Sequence, residues 1–321
     1  MPVYIGRFAP SPTGPLHFGS LLTAVAGWCD ARAASGRWLL RIEDVDEVRT
    51  RPGAADGIRY TLEAFGLAWD GDIRVQSLCK DRYYACLELL RQQGDIYWCT
   101  CTRRDLALYG QSVYPGLCRA HVSPRPDAAI RLKVPAPCPV HFHDRVFGRQ
   151  QEDVALTTGD FVIRRRDGFF AYQLAVVVDD ADQGVTHIVR GADLLDNTCR
   201  QIVLQQRLGF ATPIYAHIPL VVNARGEKLS KQTGALGLDA ANPGPVLWLA
   251  LELLGQQLES ALREAKPEVI LQEAVRRWDI NNVPAALQLP SDNRVAVDAA
   301  YGAKPEQAPT SDSPTHPSGL S

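Results

Sequence analysis

The chain has 321 residues, of which 46% are hydrophobic and 22% charged, and a formal net charge of −2. This is enough apolar material for a sizeable core in two or three domains. The charge excludes a protein that grips nucleic acid over its whole surface, so RNA contact must use local patches such as Arg103-Arg104 or Arg164-Arg165-Arg166, runs that otherwise read as solvated edges. There is no apolar run of about 18 residues and no basic start followed by an apolar core, which predicts a cytoplasmic protein without a membrane span or signal peptide.

The elements follow in chain order. Val3, Tyr4 and Ile5 form an apolar start that ends at Pro and Gly. Leu21, Leu22, Val25 and Ala26 then recur at helical spacing, so the segment reads strand, loop, helix, with His17 at the helix N-terminus. Trp38 to Ile42 is a short apolar strand, and Gly53 to Phe65 and Lys80 to Gln93 read as helices. Residues 1–94 therefore predict the first half of a doubly wound, parallel-sheet (Rossmann-like) α/β nucleotide fold. Residues 95–183 are irregular and strand-rich, with a cysteine cluster, a Pro-rich stretch from Pro124 to Pro139 and the strand Phe161 to Arg164, as expected of an inserted domain. Alternation resumes over 184–240 with the strand Thr186 to Arg190, the helix Asp196 to Gln206 and the strand-like Ile218 to Val222. Leu, Val and Ala at helical spacing from Pro245 to Trp278 predict a short helical part over 241–290. Residues 291–321 are rich in Pro, Ser, Ala, Thr and Gly, a composition expected to be disordered.

Two segments carry phosphate chemistry. At a helix N-terminus, free N–H groups and the dipole favour phosphate, Gly19 lets a nucleotide approach the backbone, and the His17 imidazole can donate to an oxygen. Far along the chain, Lys228 and Lys231 stand three residues apart in a loop bracketed by Gly226 and Gly234, able to close over a triphosphate. Singly, His17 reads as a cap and the lysines as a solvated face. Together, Arg7-Phe8-Ala9-Pro10-Ser11-Pro12-Thr13-Gly14-Pro15-Leu16-His17-Phe18-Gly19-Ser20 and Lys228-Leu229-Ser230-Lys231-Gln232 resemble the two ATP-binding signatures of class I aminoacyl-tRNA synthetases. The resemblance implies ATP contacts from His17, Gly19, Ser20 and Lys231, and catalytic roles for His17, Lys228 and Lys231. Two positions depart from it: Ser20 stands where relatives carry His, and Gln232 where many carry Ser or Arg.

Five of the eight cysteines, Cys29, Cys79, Cys86, Cys138 and Cys199, are scattered in apolar or mixed surroundings and read as small buried hydrophobes. Cys99, Cys101 and Cys118 instead cluster in a stretch broken by Gly110, Pro115 and Gly116. Three thiolates leave one corner of a zinc tetrahedron open, for Tyr114 or His121, and spacing favours His121 because phenolate is an uncommon zinc ligand. Three unbound thiols remain the alternative.

The resemblance narrows with Arg41-Ile42-Glu43-Asp44-Val45-Asp46, the run Tyr172 to Asp180, and Ile188-Val189-Arg190-Gly191-Ala192-Asp193-Leu194-Leu195, which look like the glutamate-specific subgroup over about residues 1 to 240. The implied glutamate site comprises Arg7, Ala9, Ser11, Glu43, Tyr172 and Arg190. The two arginines are forked donors for carboxylates, Glu43 suits the ammonium and Tyr172 offers a phenol, although each alone reads as a surface ion pair or core aromatic. Too few orderable residues follow the lysine loop for an anticodon-reading domain. The chain is thus similar to the shortened branch of the subgroup that attaches glutamate to queuosine in the anticodon loop of tRNA(Asp). Cys99, Cys101, Tyr114 and Cys118 match that branch's zinc ligands, which moves the fourth ligand to Tyr114. The resemblance implies a monomeric ligase using L-glutamate, ATP with Mg²⁺, one structural Zn²⁺ and queuosine-bearing tRNA(Asp), with no membrane partner. Glutamate is activated to its adenylate without tRNA and then transferred. A truncated synthetase charging the tRNA 3′ end and a non-catalytic synthetase-like RNA-binding protein are the alternatives.

Overall fold

The structure, a computed structural model, describes residues 3–108, 113–222, 238 and 240–289. Strand β1 (Ile5–Phe8) leads through a loop into helix α1 (Phe18–Ala33), which returns the chain to β2 (Arg37–Ile42), paired parallel to β1 in the register Ile5 with Arg37. Helix α2 (Ala54–Ala64) then leads to β3 (Arg74–Val75), parallel to β2. The crossover from β1 works because α1 buries Leu21, Leu22, Val25 and Ala26 completely, covering the strand face that carries Phe8, Trp38, Leu40 and Ile42.

After α3 (Lys80–Gln92), β4 (Ile96–Cys99) pairs antiparallel with β5 (Ala129–Leu132), and β5 pairs antiparallel with β8 (Phe161–Arg164). Between them, α4 (Arg103–Ala107) is closed by a reciprocal Thr102–Asp105 cap. The hairpin β6 (Pro139–Asp144) and β7 (Gly148–Asp153), followed by the short α5 (Val154–Thr157), leaves this sheet. Its β6 pairs instead with a strand of the second half, at Tyr215 with Asp144. The stretch read as an insertion thus contributes two strands to the neighbouring sheet.

That second sheet has the order β7-β6-β10-β9, with β9 (His187–Gly191) and β10 (Ile214–Ile218) parallel. Helix α6 (Tyr172–Asp182) precedes β9, and α7 (Thr198–Leu208) connects β9 to β10. Gly209, at φ 69°, ends α7 in a left-handed turn that a side chain would disfavour. Strands β1 and β9 lie side by side: Thr186 N donates to the Ile5 carbonyl at 2.9 Å, while Ile5 N donates to the Thr186 hydroxyl at 2.8 Å. The sheets therefore meet where the winding direction reverses, the place where α/β folds leave a crevice at the carboxyl ends of strands.

One expected strand is displaced. The run 218–222 does not extend the parallel sheet, because β10 ends at Ile218 and Pro219 has no N–H to donate. Leu220 instead exchanges backbone hydrogen bonds with Leu287 and Leu289 near the end of the described chain. Before that segment, α8 (Pro243–Leu253) and α9 (Pro267–Arg277), each starting at a proline, join α1 in the first core cluster. A second cluster unites α3, α6 and α7 with β5 and β8, and a small third holds Tyr97, Cys99 and Cys118. Among the described residues, no helix is long and apolar enough to cross a membrane. The run 291–321 lies outside the described residues.

Candidate active site

The crevice between the two halves is a cleft of about 570 Å³ whose lining includes Arg7, Ala9, Ser11, His17, Gly19, Ser20, Glu43, Tyr172 and Arg190. Every glutamate- and ATP-contact position named from the sequence within the described residues is therefore brought to one place. Lys228 and Lys231, with Gln232, lie outside the described residues. β1 supplies Arg7, the end of β2 leads into Glu43, α6 opens with Tyr172, and β9 carries Arg190.

His17 is the N-cap of α1: its Nδ1 accepts from Ser20 N at 3.3 Å, and the Ser20 hydroxyl lies 3.1 Å from its Nε2. The histidine thus caps α1 and lines the cleft at once. The Ser20 hydroxyl is engaged with the imidazole.

The cleft floor is an alternating charge array. Asp180, on α6, accepts from Arg7 Nε at 3.0 Å and from Arg41 Nη1 at 2.7 Å, and Arg41 Nη2 reaches Glu43 at 3.1 Å. Arg41 is fully buried, with Asp180 and Arg7 only 3% and 6% exposed, so each charge depends on its opposite for stability. Burial alone would push the Asp180 carboxyl up; Arg41 and Arg7 outweigh it and hold the group below the usual range. Glu43 goes the other way. Burial raises it, and Arg41 and Arg7 only partly oppose that. Burial likewise raises Tyr172, helped by the charge of Glu43. The array continues behind the cleft, where Asp179 accepts from Arg74, Gln76 and Tyr83.

Arg190 differs from Arg7. It is 3% exposed, yet its hydrogen-bond partners among the described residues are all neutral: His217 Nε2 at 2.9 Å, Gln201 Oε1 at 2.7 Å, the Thr198 hydroxyl at 2.8 Å and the Leu194 carbonyl at 3.4 Å. His217 in turn lies 2.6 Å from Asp144 Oδ2, with both side chains fully buried. A buried guanidinium with only neutral partners at hand in a cleft wall is complementary to an anion.

The sequence reading treated both arginines as open forks. The structure shows Arg7 already paired with the chain's own Asp180 and most Arg190 donors already used. Arg41, Asp180, His217 and Asp144 went unnamed as site residues. For the first two a signal existed: Tyr172 and Asp180 are eight residues apart on one helix, a little over two turns and within one broad face, and Arg41 is separated by one residue from Glu43. For Asp144, on the hairpin of another segment, there was none.

At the far side of β4, the Cys99, Cys101 and Cys118 sulfurs lie within 4.8 Å of one another. Cys101 and Cys118 sulfurs are 3.5 Å apart, close to the ~3.8 Å that thiolates around a tetrahedral zinc with ~2.3 Å bonds require. Tyr114 fills the fourth direction: the Cys99 thiol donates to its hydroxyl at 3.4 Å, Cys101 Sγ lies 3.6 Å from it, and Cys118 N donates to it at 3.0 Å. His121 is not among the converging metal-ligating groups. Burial opposes ionisation of Cys118, but the Tyr114 hydroxyl and neighbouring donors bring its thiol down to about 6. Such a donor set fits a thiophilic cation. Behind it, Asp160 accepts from Tyr97, twice from Arg119, and from Val134 N, while the Arg131 guanidinium lies 4.0 Å over the Tyr114 ring.

Residues 4–114 and 118–242 match the family model described as tRNA synthetases class I (E and Q), catalytic domain. A protein of Pseudomonas entomophila named glutamyl-Q tRNA(Asp) synthetase is 51% identical over 287 residues, covering 89% of this chain and 97% of its own length. One of the same name from Aromatoleum aromaticum is 50% identical over 315 residues, 97% of this chain and 98% of that protein. The crystal structure of glutamate-tRNA synthetase from Elizabethkingia anophelis matches with TM-score 0.75 over 93% of this chain and 70% of that one. At 24% identity, that likeness bears on the fold alone.

Proposed function

Because the chain belongs to the glutamyl-Q tRNA(Asp) synthetases, ligases of the class I tRNA synthetase group, we propose that it activates L-glutamate with ATP and transfers it to queuosine in the anticodon loop of tRNA(Asp). The observation that carries this reading is the charge pattern of the cleft. A buried guanidinium with neutral partners, Arg190, faces the same cleft as Glu43, whose second oxygen has no hydrogen-bond partner among the described residues. An amino acid with a side-chain carboxylate and an ammonium group matches both.

In this reading Arg190 takes the side-chain carboxylate, Glu43 and Tyr172 hold the ammonium, and Arg7, fixed by Asp180, supports the α-carboxylate. Ala9 and Ser11 shape the wall of the loop that follows β1. ATP lies against the α1 N-terminus with Gly19 beneath it, contacted by His17 and Ser20, and Mg²⁺ enters bound to its phosphates with no protein ligand assigned. The α-carboxylate oxygen attacks the α-phosphorus, forming the mixed anhydride and releasing pyrophosphate. His17, Lys228 and Lys231 stabilise the charge that builds on the phosphate oxygens, and no side-chain nucleophile is required. A hydroxyl of the queuosine diol then attacks the acyl carbon and AMP leaves. Cys99, Cys101, Tyr114 and Cys118 hold one Zn²⁺, which when bound fixes the loop-rich segment after β4.

The test has two stages. Glutamate-dependent ATP–pyrophosphate exchange is expected with no RNA present. Radioactive glutamate is then expected on tRNA(Asp) containing queuosine and not on the same tRNA with guanosine, the label staying with the anticodon fragment after nuclease digestion. Label on the 3′-terminal adenosine of tRNA(Glu) would establish ordinary charging instead, and background exchange would establish a non-catalytic binder.

A further inference from the structure

Arg190 is held from behind by a line of fully buried groups that crosses three strands. Asp144 ends β6, His217 lies in β10 and Arg190 in β9, adjacent strands of one sheet. Asp144 Oδ1 accepts from Val146 N at 3.0 Å, Phe147 N at 2.9 Å and His217 N at 3.3 Å. Among the described residues its Oδ2 has one hydrogen-bond partner, the His217 Nδ1 at 2.6 Å. The other ring nitrogen, Nε2, faces Arg190 Nε at 2.9 Å, with the Thr198 hydroxyl at 3.3 Å.

The tautomer follows from these partners. An arginine Nε–H only donates, so His217 Nε2 must present its lone pair, and its proton must sit on Nδ1, where the ionised Asp144 accepts it. The opposite tautomer would set two N–H groups against each other at Arg190 and two acceptors against each other at Asp144. Burial and the neighbouring Arg190 hold the imidazole below its ordinary pKa, although Asp144 opposes them, which keeps the ring neutral as this arrangement demands.

We propose that Asp144 and His217 are positioning residues that lock the Arg190 guanidinium in place through one histidine tautomer, and that they thereby set the preference for glutamate over its neutral isostere glutamine. This rests on the reading of Arg190 as the partner of the side-chain carboxylate. Neither residue is among those lining the cleft. Arg190 has its Nε fixed by His217, one Nη by Gln201 and the other by Thr198 and Leu194, which leaves one N–H on a residue that lines the cleft. A tilted plane loses its contact with the substrate side chain, and the loss is larger for a carboxylate, where both partners are ionised, than for an amide oxygen, where only the guanidinium is.

Asp144→Asn makes the sharpest variant. Three backbone N–H groups hold the amide oxygen where Oδ1 now lies, so the amide NH₂ must take the Oδ2 place and donate to Nδ1. The proton then moves to Nε2 and opposes Arg190, the same logic by which an aspartate-to-asparagine change behind a catalytic histidine imposes the wrong tautomer. His217→Gln is the conservative counterpart: it offers an amide oxygen toward Arg190 and has no ring to be misprotonated.

In glutamate-dependent pyrophosphate exchange, Asp144→Asn is expected to raise the glutamate KM about tenfold and lower glutamate-over-glutamine discrimination about as much, leaving the ATP KM unchanged. His217→Gln retains discrimination, and Asp144→Asn/His217→Gln behaves like His217→Gln. In wild-type protein labelled with ¹⁵N-histidine, the His217 shifts should report the proton on Nδ1. That measurement decides the matter even if Asp144→Asn fails to fold. The proposal is overturned if the proton resides on Nε2, if Asp144→Asn leaves discrimination intact, or if the double variant is as impaired as Asp144→Asn. If Arg190→Ala itself leaves glutamate kinetics unchanged, the reading of the cleft fails first; an effect of Arg190→Ala with none of Asp144→Asn removes only this inference.

Discussion

The cleft and the cysteine cluster solve the same problem, holding several polar groups at one point, in opposite ways. The cleft draws Arg7, Glu43, Tyr172 and Arg190 from distant parts of the chain; Asp180 and Arg41 behind it fix Arg7 and Glu43 by charge pairing, and neutral groups fix Arg190. The cluster draws Cys99, Cys101, Tyr114 and Cys118 from twenty neighbouring positions, 99 to 118, and its groups meet edge to edge with no ion pair among them. A site assembled from both halves of a sheet is only as good as the fold around it. A local one is preset by a short stretch of chain, and its groups gain their full stabilisation only with a cation among them.

The comparison can be broken hardest at Asp180. Asp180→Asn removes the shared partner of Arg7 and Arg41 and leaves uncompensated buried charge, which costs about 3–5 kcal/mol of stability, read by urea titration. A loss no greater than that of a surface variant would show that the array is not what holds the cleft. The same carboxyl gives a pH signature. Its folded-state pKa lies below the ordinary value of about 3.9, so its contribution is complete above that pH and is lost as pH falls through the lower folded-state value. The acid limb of the stability curve should therefore be shallower in Asp180→Asn.

At Arg190 the expected effect is on chemistry rather than folding. Arg190→Ala leaves the substrate carboxylate unpaired in a desolvated wall and lowers kcat/KM for glutamate by about 2–5 kcal/mol, more than tenfold in rate. Unchanged glutamate kinetics would take Arg190 out of the site.

The cluster should respond locally. Purified protein is expected to carry one zinc per chain, and Cys99→Ser/Cys101→Ser to carry almost none while losing protease resistance after β4. Because no cysteine of the cluster lines the cleft, pyrophosphate exchange should continue in that variant. Loss of exchange in step with zinc would mean that the two regions are coupled.

Least affected should be Glu88→Ala. Glu88 pairs with Arg91 one turn along the exposed face of α3, and a pair so open to water adds nothing measurable to the melting temperature. A clear drop would undermine the distinction between buried and exposed pairs on which the other expectations rest.

What the sequence determined by itself was carried by period and spacing. The α1, α2 and α3 helices, the β2 and β8 strands and the cysteine cluster follow from apolar recurrence and from residues close in the chain. The Arg7 to Ser20 run marked a phosphate-suited helix start, and its histidine does cap α1. Tertiary structure alone decided what depends on register between distant strands. Only the pairing of β6 with β10 brings Asp144 behind His217, and only the meeting of β1 with β9 and α6 puts Asp180 between two arginines. Pro219 shows the same limit from the other side: its neighbours look like a continuing strand, but a missing N–H and an available partner at Leu287 and Leu289 send the chain elsewhere. Local propensity reaches a few residues along the chain, whereas a buried charge finds its partner through the fold, and the pairing energy appears only once the sheet has closed.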